Sequence, residues 1–324
     1  MEKYTRHNII IAICIGCAIL FPLFASAYYT GLLVEIMIYA IFALGLQLLV
    51  GGTGLVSVGH AAFFGLAAYV TVLVAPVDGP GNLIVLLLAA MAATAIFALV
   101  SGALALRTKG IYFIMVTLAF AQMVYFVFHD TDIGGGSDGA YLYFRPEVRI
   151  CDFVLFSLEN NLSFFYFALL CLLGVWFSLF IITRSRFGAA LIGIRINEQR
   201  MRSSGFSTYV YKLVAYIMAG MIASLAGLLY VAKDGYVTPE ILSWEQSGLV
   251  LLMVILGGQF KLWGAIVGAA ALILLKELFQ SHEVFGSFAS HWNLSYGLAI
   301  IALVALLPEG IAGIKKRRAK KESV

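Results

Sequence analysis

RSRFGAALIGIRINEQRMRSSGFSTYVYK, residues Arg184 to Lys212, is a long, strongly basic polar interruption in an otherwise apolar chain. Six cations (Arg184, Arg186, Arg195, Arg200, Arg202 and Lys212) stand against a single acid, Glu198. Apolar runs of membrane-crossing length flank the stretch on both sides, and a loop of this charge between two spans belongs on the cytoplasmic face. Phe187, Leu191 and Ile194 recur at i, i+4 and i+7, with Arg195, Glu198 and Arg202 on the opposite face, a pattern that predicts a short amphipathic helix. Glu198 is spaced to pair with Arg202 four residues on, and Gly205 offers a stop. The stretch therefore predicts a membrane protein that holds a structured helix out into the cytoplasm, either against a partner or simply solvated.

The composition around this loop agrees. Hydrophobic residues make up 62% of the 324 and charged residues 12%, far more apolar than a soluble domain of this length needs for its core. The predicted fold class is all-α: a polytopic transmembrane helical protein, with residues 1–324 forming one membrane domain. Its ten expected spans are 9–27, 32–50, 56–75, 83–106, 111–128, 164–182, 214–231, 248–256, 265–278 and 294–307. Both termini then lie in the cytoplasm, with a cytoplasmic loop at 184–212 and the largest external loop at 129–160. Charge checks this order independently. All but four of the 21 Lys and Arg fall on the inner side, the exceptions being Arg145, Arg149, Lys233 and Lys276. The net charge of +4 is sorted by side of the membrane rather than gathered on one face, so it carries no nucleic-acid signal. Residues 9–27 end in FASA, which resembles a signal-peptide cleavage site, but the run is long for a signal peptide and an uncleaved first helix is expected.

Two spans carry interruptions. Glycines 51, 52 and 54 are expected to break the helix near 51–60, and Gly257 and Gly258 to break it near 257–265. Each glycine pair is followed by a small-residue helix start (Gly59, Ala61, Ala62; Gly268, Ala269, Ala270), which suggests a parallel structural repeat. Broken helices are tolerated only where they face protein or water, so these two regions are where a substrate path is expected.

The chain shows no enzyme signature: GxxxxGK[ST], HExxH and GxSxG are absent, and the five histidines form no ligand spacing. No metal site or disulfide framework follows from the four cysteines, of which Cys14, Cys17 and Cys171 lie in apolar runs and Cys151 in the external loop. Ion-coupled carriers place carboxylates or cations deep in the bilayer, whereas Glu35, Lys276 and Glu277 fall near outer ends. That weighs against a gradient-driven carrier and towards an external motor. Ser57 and His60 at a broken-helix start, Phe64 beside them, and Thr117 and Gln122 in mid-span are candidates to line a path; interhelical packing and hydrogen bonding are the alternative.

Five separated stretches then carry a resemblance. GLVSVGHAAFFGLAAY (54–69), KGIYFIMVTLAFAQMVY (109–125), GGGSDG (134–139), SRFGAALIGIRINEQRMRSSGFSTYVYKLVAY (185–216) and LLMVILGGQFKLWGAIVGAA (251–270) resemble, in order and spacing, the branched-chain amino-acid ABC transporter permeases of the LivM type. The resemblance implies a non-catalytic subunit of a multi-pass bacterial or archaeal inner-membrane importer for leucine, isoleucine and valine. Related permeases carry urea or short amides instead. Its implied partners are a second, LivH-like permease, two cytoplasmic LivG/LivF-like ATP-binding subunits that bind the ATP, a periplasmic binding protein and membrane lipid. No cofactor is expected on this chain itself. By the same resemblance Gly188, Arg195, Asn197, Glu198, Arg202 and Gly205 belong to the helix that meets an ATPase. Asp130, Asp132, Asp138 and Glu245 become candidates for docking the binding protein. The sequence departs from the family pattern at Ala189, where a basic residue is common, and at Gln199, Arg200 and Met201, where small residues are.

Overall fold

The computed structural model describes residues 20–22, 25–150, 153–281, 286, 291–308 and 310–313. Its helices are α1 (Ala27–Gln47), α2 (His60–Val74), α3 (Leu83–Ala105), α4 (Ile111–Asp130), α5 (Asn161–Arg184), α6 (Arg186–Ile196), α7 (Glu198–Ser203), α8 (Thr208–Asp234), α9 (Trp244–Gly257), α10 (Leu262–Gln280) and α11 (Trp292–Leu306). Seven helical segments among the described residues are long and apolar enough to cross a membrane. α2 and α9, at 15 and 14 residues, are not. At 1.5 Å per residue they reach about 21–23 Å, short of the roughly 30 Å hydrocarbon core. Most of the first expected span, 9–27, lies outside the described residues, as do 314–324.

α1 and α8 form the centre. The α1 segment is 83% buried in its most apolar window, against 22% for α4 at the periphery. Small residues let these central helices close up. A Cβ on Gly227 of α8 would stand 2.1 Å from the carbonyl oxygen of Phe64, and one on Gly220 would press on Phe63 and Ala98. Helices that pack in lipid gain little from apolar burial and rely on this close backbone approach.

The glycine pair at 51 and 52 does not end the helix as expected. The chain continues from α1 through a π-helical turn, Leu48–Thr53, and leaves helix only at Gly54, whose φ is +76°. Glycines without a Cβ accommodate the wider turn, and the positive φ at Gly54 is what stops it. Residues 54–59 then run non-helically, from an exposed Gly54 to a buried Ser57 and Gly59, so α2 begins at His60 rather than at Val56. At the second break the link is only 258–261, and Gly257, Gly264 and Gly268 bring α9 and α10 into backbone contact. Gly268, expected at a helix start, instead lies in the second turn of α10.

The expectation of an all-α chain needs a small correction at the end of the molecule opposite the basic loop. β1 (Ala140–Tyr141) pairs antiparallel with β4 (Tyr236–Val237), and β2 (Glu147–Ile150) with β3 (Phe153–Ser157). Such two- to five-residue ladders are too short to leave a period in the sequence. The β1–β4 ladder fastens the 129–160 loop to the α8–α9 connection, and Glu147 N–H donates to Gly81 O at 2.9 Å, tying in the α2–α3 turn as well.

Candidate functional site

The basic loop folds as two helices, not one. Ser185 caps α6, accepting from Gly188 N–H at 3.3 Å, and Gly188 is buried where a Cβ would strike the carbonyls of Ile182 and Thr183. Asn197 then leaves helical geometry (φ −156°, ψ 96°) and caps α7, accepting from Arg200 N–H at 2.9 Å. Asn is a strong N-cap, which is why the helix restarts there. Leu191 and Ile194 are buried as the periodicity required, and Phe187 stacks on Tyr211. Gly205, at φ +86°, ends the unit.

Glu198 is the junction of this loop. Its Oε1 accepts from Arg202 at 2.9 Å, from Lys212 Nζ at 2.9 Å and from Thr208 Oγ1 at 3.1 Å, so one carboxylate clamps α7 onto the start of α8. Partial burial opposes its charge, but the Lys212 hydrogen bond and charge, with Thr208 and Arg202, outweigh this and hold the carboxyl below the usual carboxylate range. The clamp therefore contributes fully above the ordinary carboxylate range and is lost only as pH falls through the lowered value. Amide exchange in residues 197–208, corrected for its intrinsic pH dependence, is expected to stay flat from about pH 8 to pH 5. Glu198→Gln should raise it several-fold at neutral pH, and unchanged exchange in that variant would mean that the clamp is not what orders α7.

Arg195 takes a different place from the one its spacing suggested. Its guanidinium turns back into the protein, donates to the Gly51 carbonyl in the π-helical turn, and lies 4.9 Å from the Phe260 ring centroid. Gln47 donates to Gln259 O at 2.5 Å beside it. The Gln47–Gln259 bond, together with Arg195 bonded to Gly51 and lying over Phe260, holds the first helix break against the second.

In the interior, the structure brings together four of the five expected path residues. Ser57 and His60 are fully buried, and Ser57 Oγ accepts from Gly59 N–H at 3.3 Å. Gly59 backs so closely on α4 that a Cβ would stand 2.2 Å from the Thr117 carbonyl oxygen. His60 stacks on Phe42 with ring centroids 5.4 Å apart, and Phe42 stacks on Phe64 at 4.6 Å. Neither ring nitrogen of His60 has a hydrogen-bond partner among the described residues. Gln122 lies farther along α4, its Nε2 also buried without a partner. Thr117 spends its hydroxyl on Ile114 O at 2.9 Å.

Two contributors here escaped the sequence reading. Ser247, from the first turn of α9, accepts from Ala61 N–H at 2.8 Å, so the starts of both short helices meet inside the protein. Tyr216 places its hydroxyl against Ser57 and Ser101. It stands one turn beyond Lys212 on α8. A lone serine in an apolar helix was the only available sign of the first, and nothing in the local pattern distinguished the second. At the opposite end Asp130, Asp132, Asp138 and Glu245 are all exposed. Asp130 Oδ1 accepts from His129 Nδ1 at 2.7 Å.

Comparison with known proteins completes the picture. A family described as "Branched-chain amino acid transport system / permease component" matches residues 28–307. The high-affinity branched-chain amino acid transport system permease protein LivM of Salmonella typhimurium is 29% identical over 327 residues, covering 94% of this chain and 75% of its own length. Its Escherichia coli counterpart is 28% identical over 335 residues, covering 97% and 77%. The ribose import permease protein RbsC of Escherichia coli is 24% identical over 140 residues, covering 42% of this chain and 41% of its own. No solved structure matches. The helices long enough to span a bilayer, the buried broken-helix starts and a match over most of the chain converge: this multi-pass membrane protein belongs to the permease components of branched-chain amino-acid ABC transport systems.

Proposed function

We propose that the chain forms half of the translocation pathway of an ATP-driven importer for leucine, isoleucine and valine, with a second permease, and that α6 and α7 seat against a cytoplasmic ATP-binding subunit. The observation that supports this reading is the continuity of α8. Near its start Lys212 is clamped to Glu198 of α7, and one turn later Tyr216 rests on Ser57 in the first broken-helix segment. A displacement of α7 therefore reaches the interior break through a single rigid helix, which is what a subunit with no catalytic residue of its own needs in order to respond to an external motor. The basic end faces the cytoplasm by the charge rule, and the exposed acids Asp130, Asp132, Asp138 and Glu245 face a periplasmic binding protein that delivers the substrate.

The test is copurification from mild detergent, comparing wild type with Glu198→Arg. Wild type is expected to retain a second permease and nucleotide-binding subunits, and charge reversal to release the latter selectively. Absence of any ATPase from the wild-type preparation would count against the importer. Equal binding by the variant would leave the importer standing and move the contact away from α7.

A further inference from the structure

A cavity of about 350 Å³ opens at the basic end, between the end of α1 with its π-helical turn, the C-terminal part of α5, α6 and the 259–263 link. That volume lies in the range of ligand-binding pockets, ~300–1,000 Å³. Among the described residues two cations line it, Arg195 and Lys261, and no carboxylate does. Lys261 uses one of its three donors on Ala312 O at 2.6 Å, and Arg195 uses one of its five on Gly51 O. The remaining donors are available to an anion. The walls are aromatic: Trp176, Phe180, Phe260 and Trp263, the ring-and-cation mixture that suits the boundary between lipid tails and head groups. Gln47 also lines the cavity, and its Oε1 is buried with no donor among the described residues. It calls for a hydroxyl rather than a second negative oxygen. On the adjoining face of α5, one position on from Trp176 and Phe180, Phe177 and Ile181 are 58% and 53% exposed, an apolar track of the kind that acyl chains cover.

We propose that this cavity binds the head group of an anionic, hydroxyl-bearing phospholipid such as phosphatidylglycerol. The phosphate lies between Arg195 and Lys261, a head-group hydroxyl donates towards Gln47 Oε1, and the acyl chains leave along α5. Because Arg195 also holds the first helix break and Lys261 sits in the second, the lipid bridges the two breaks from outside the path. The inference does not depend on the transport reading, since it concerns the chain in a micelle.

Trp176 and Trp263 provide the readout. The purified protein is titrated in mixed micelles with phosphatidylglycerol or phosphatidylcholine carrying brominated acyl chains, and quenching of tryptophan fluorescence is followed. Phosphatidylglycerol is expected to quench at a several-fold lower mole fraction. Lys261→Gln should abolish that preference, whereas Lys276→Gln, which removes a cation beside Trp292 at the opposite end, should leave it. Glycerol 3-phosphate and inorganic phosphate at millimolar concentration should not relieve the quenching. Equal quenching by the two lipids overturns the site, as does a preference that survives Lys261→Gln. Full relief by soluble phosphate assigns the cavity to a free anion and overturns the lipid. Should Lys261→Gln not fold, Trp263→Phe in the native background replaces it: a reduced phosphatidylglycerol-specific part of the quenching, with the remainder reported by Trp176, supports the site, and its full retention overturns it.

Discussion

Gly268→Leu is expected to abolish recovery of folded protein from detergent, while Gly174→Leu on α5 leaves it unchanged. A Cβ at position 268 would stand 1.8 Å from the Met253 carbonyl oxygen and 2.9 Å from the Gly257 amide nitrogen. Both are backbone atoms, so no rotamer change relieves the conflict and α9 and α10 must separate. The same approach recurs at Gly257, whose Cβ would meet the Gly264 carbonyl at 1.9 Å. Overpacking where side chains can yield costs about 1–3 kcal/mol, and separating two backbones forfeits their shared packing as well. At Gly174 nothing lies within 4 Å of an added Cβ, and the position is exposed. Size-exclusion elution and thermal unfolding of the two variants decide the matter: a Gly268→Leu protein that elutes and melts like wild type would show that the hairpin does not close as described.

Gly59→Leu should act differently, stopping transport without preventing assembly. The added Cβ would be 2.2 Å from the Thr117 carbonyl oxygen and 2.9 Å from its carbon. The substitution therefore drives α4 off the buried start of α2, at the level where Ser57, His60 and Ser247 meet. Gly59 has an ordinary φ of −100°, so the effect is steric and not conformational. The contacts made by Glu198 join α7 to α8 without involving α4, and remain. On the proposed function, reconstituted complexes carrying Gly59→Leu should purify with their partners and import substrate at background rates. Wild-type import would remove the 54–62 segment from the path, and loss of the partners would make the residue a determinant of assembly instead.

Much of this architecture could be read from the chain, because the physics of spanning a bilayer writes itself into long apolar runs and sorted charge. The peripheral helices α3, α4 and α5 begin and end within a few residues of expectation, and the Glu198–Arg202 pair follows from helical spacing. What could not be read depended on partners distant in the chain. Gly51 and Gly52 look like helix breakers, yet Arg195, 144 residues on, bonds to Gly51 and holds the turn. Arg195 looked solvent-facing by its position on a helical wheel, but its long side chain reaches back across the loop, which Cα periodicity does not report. Lys212, counted only as loop charge, turned out to share Glu198 with Arg202 from 14 residues away. His60 stands at a helix start, as its position after the glycines suggested, but the lack of a hydrogen-bond partner for its ring among the described residues belongs to the packed interior alone.

The three ties that hold the helix breaks have a consequence for how the protein is made. Gln47 reaches Gln259, Gly51 receives Arg195, and Ala61 donates to Ser247, across 212, 144 and 186 residues of chain. A ribosome delivering the chain from its N-terminus into the membrane releases the polar groups of residues 47–61 long before any of these partners has been synthesised. Until then those groups must be satisfied by water or by the insertion machinery, since bare backbone amides and carbonyls are not stable in lipid. The polar groups of the early helices are thus closed off only by segments made later, Arg195 first and then Ser247 and Gln259, so that the helix breaks can reach the arrangement described here only after most of the chain has been synthesised.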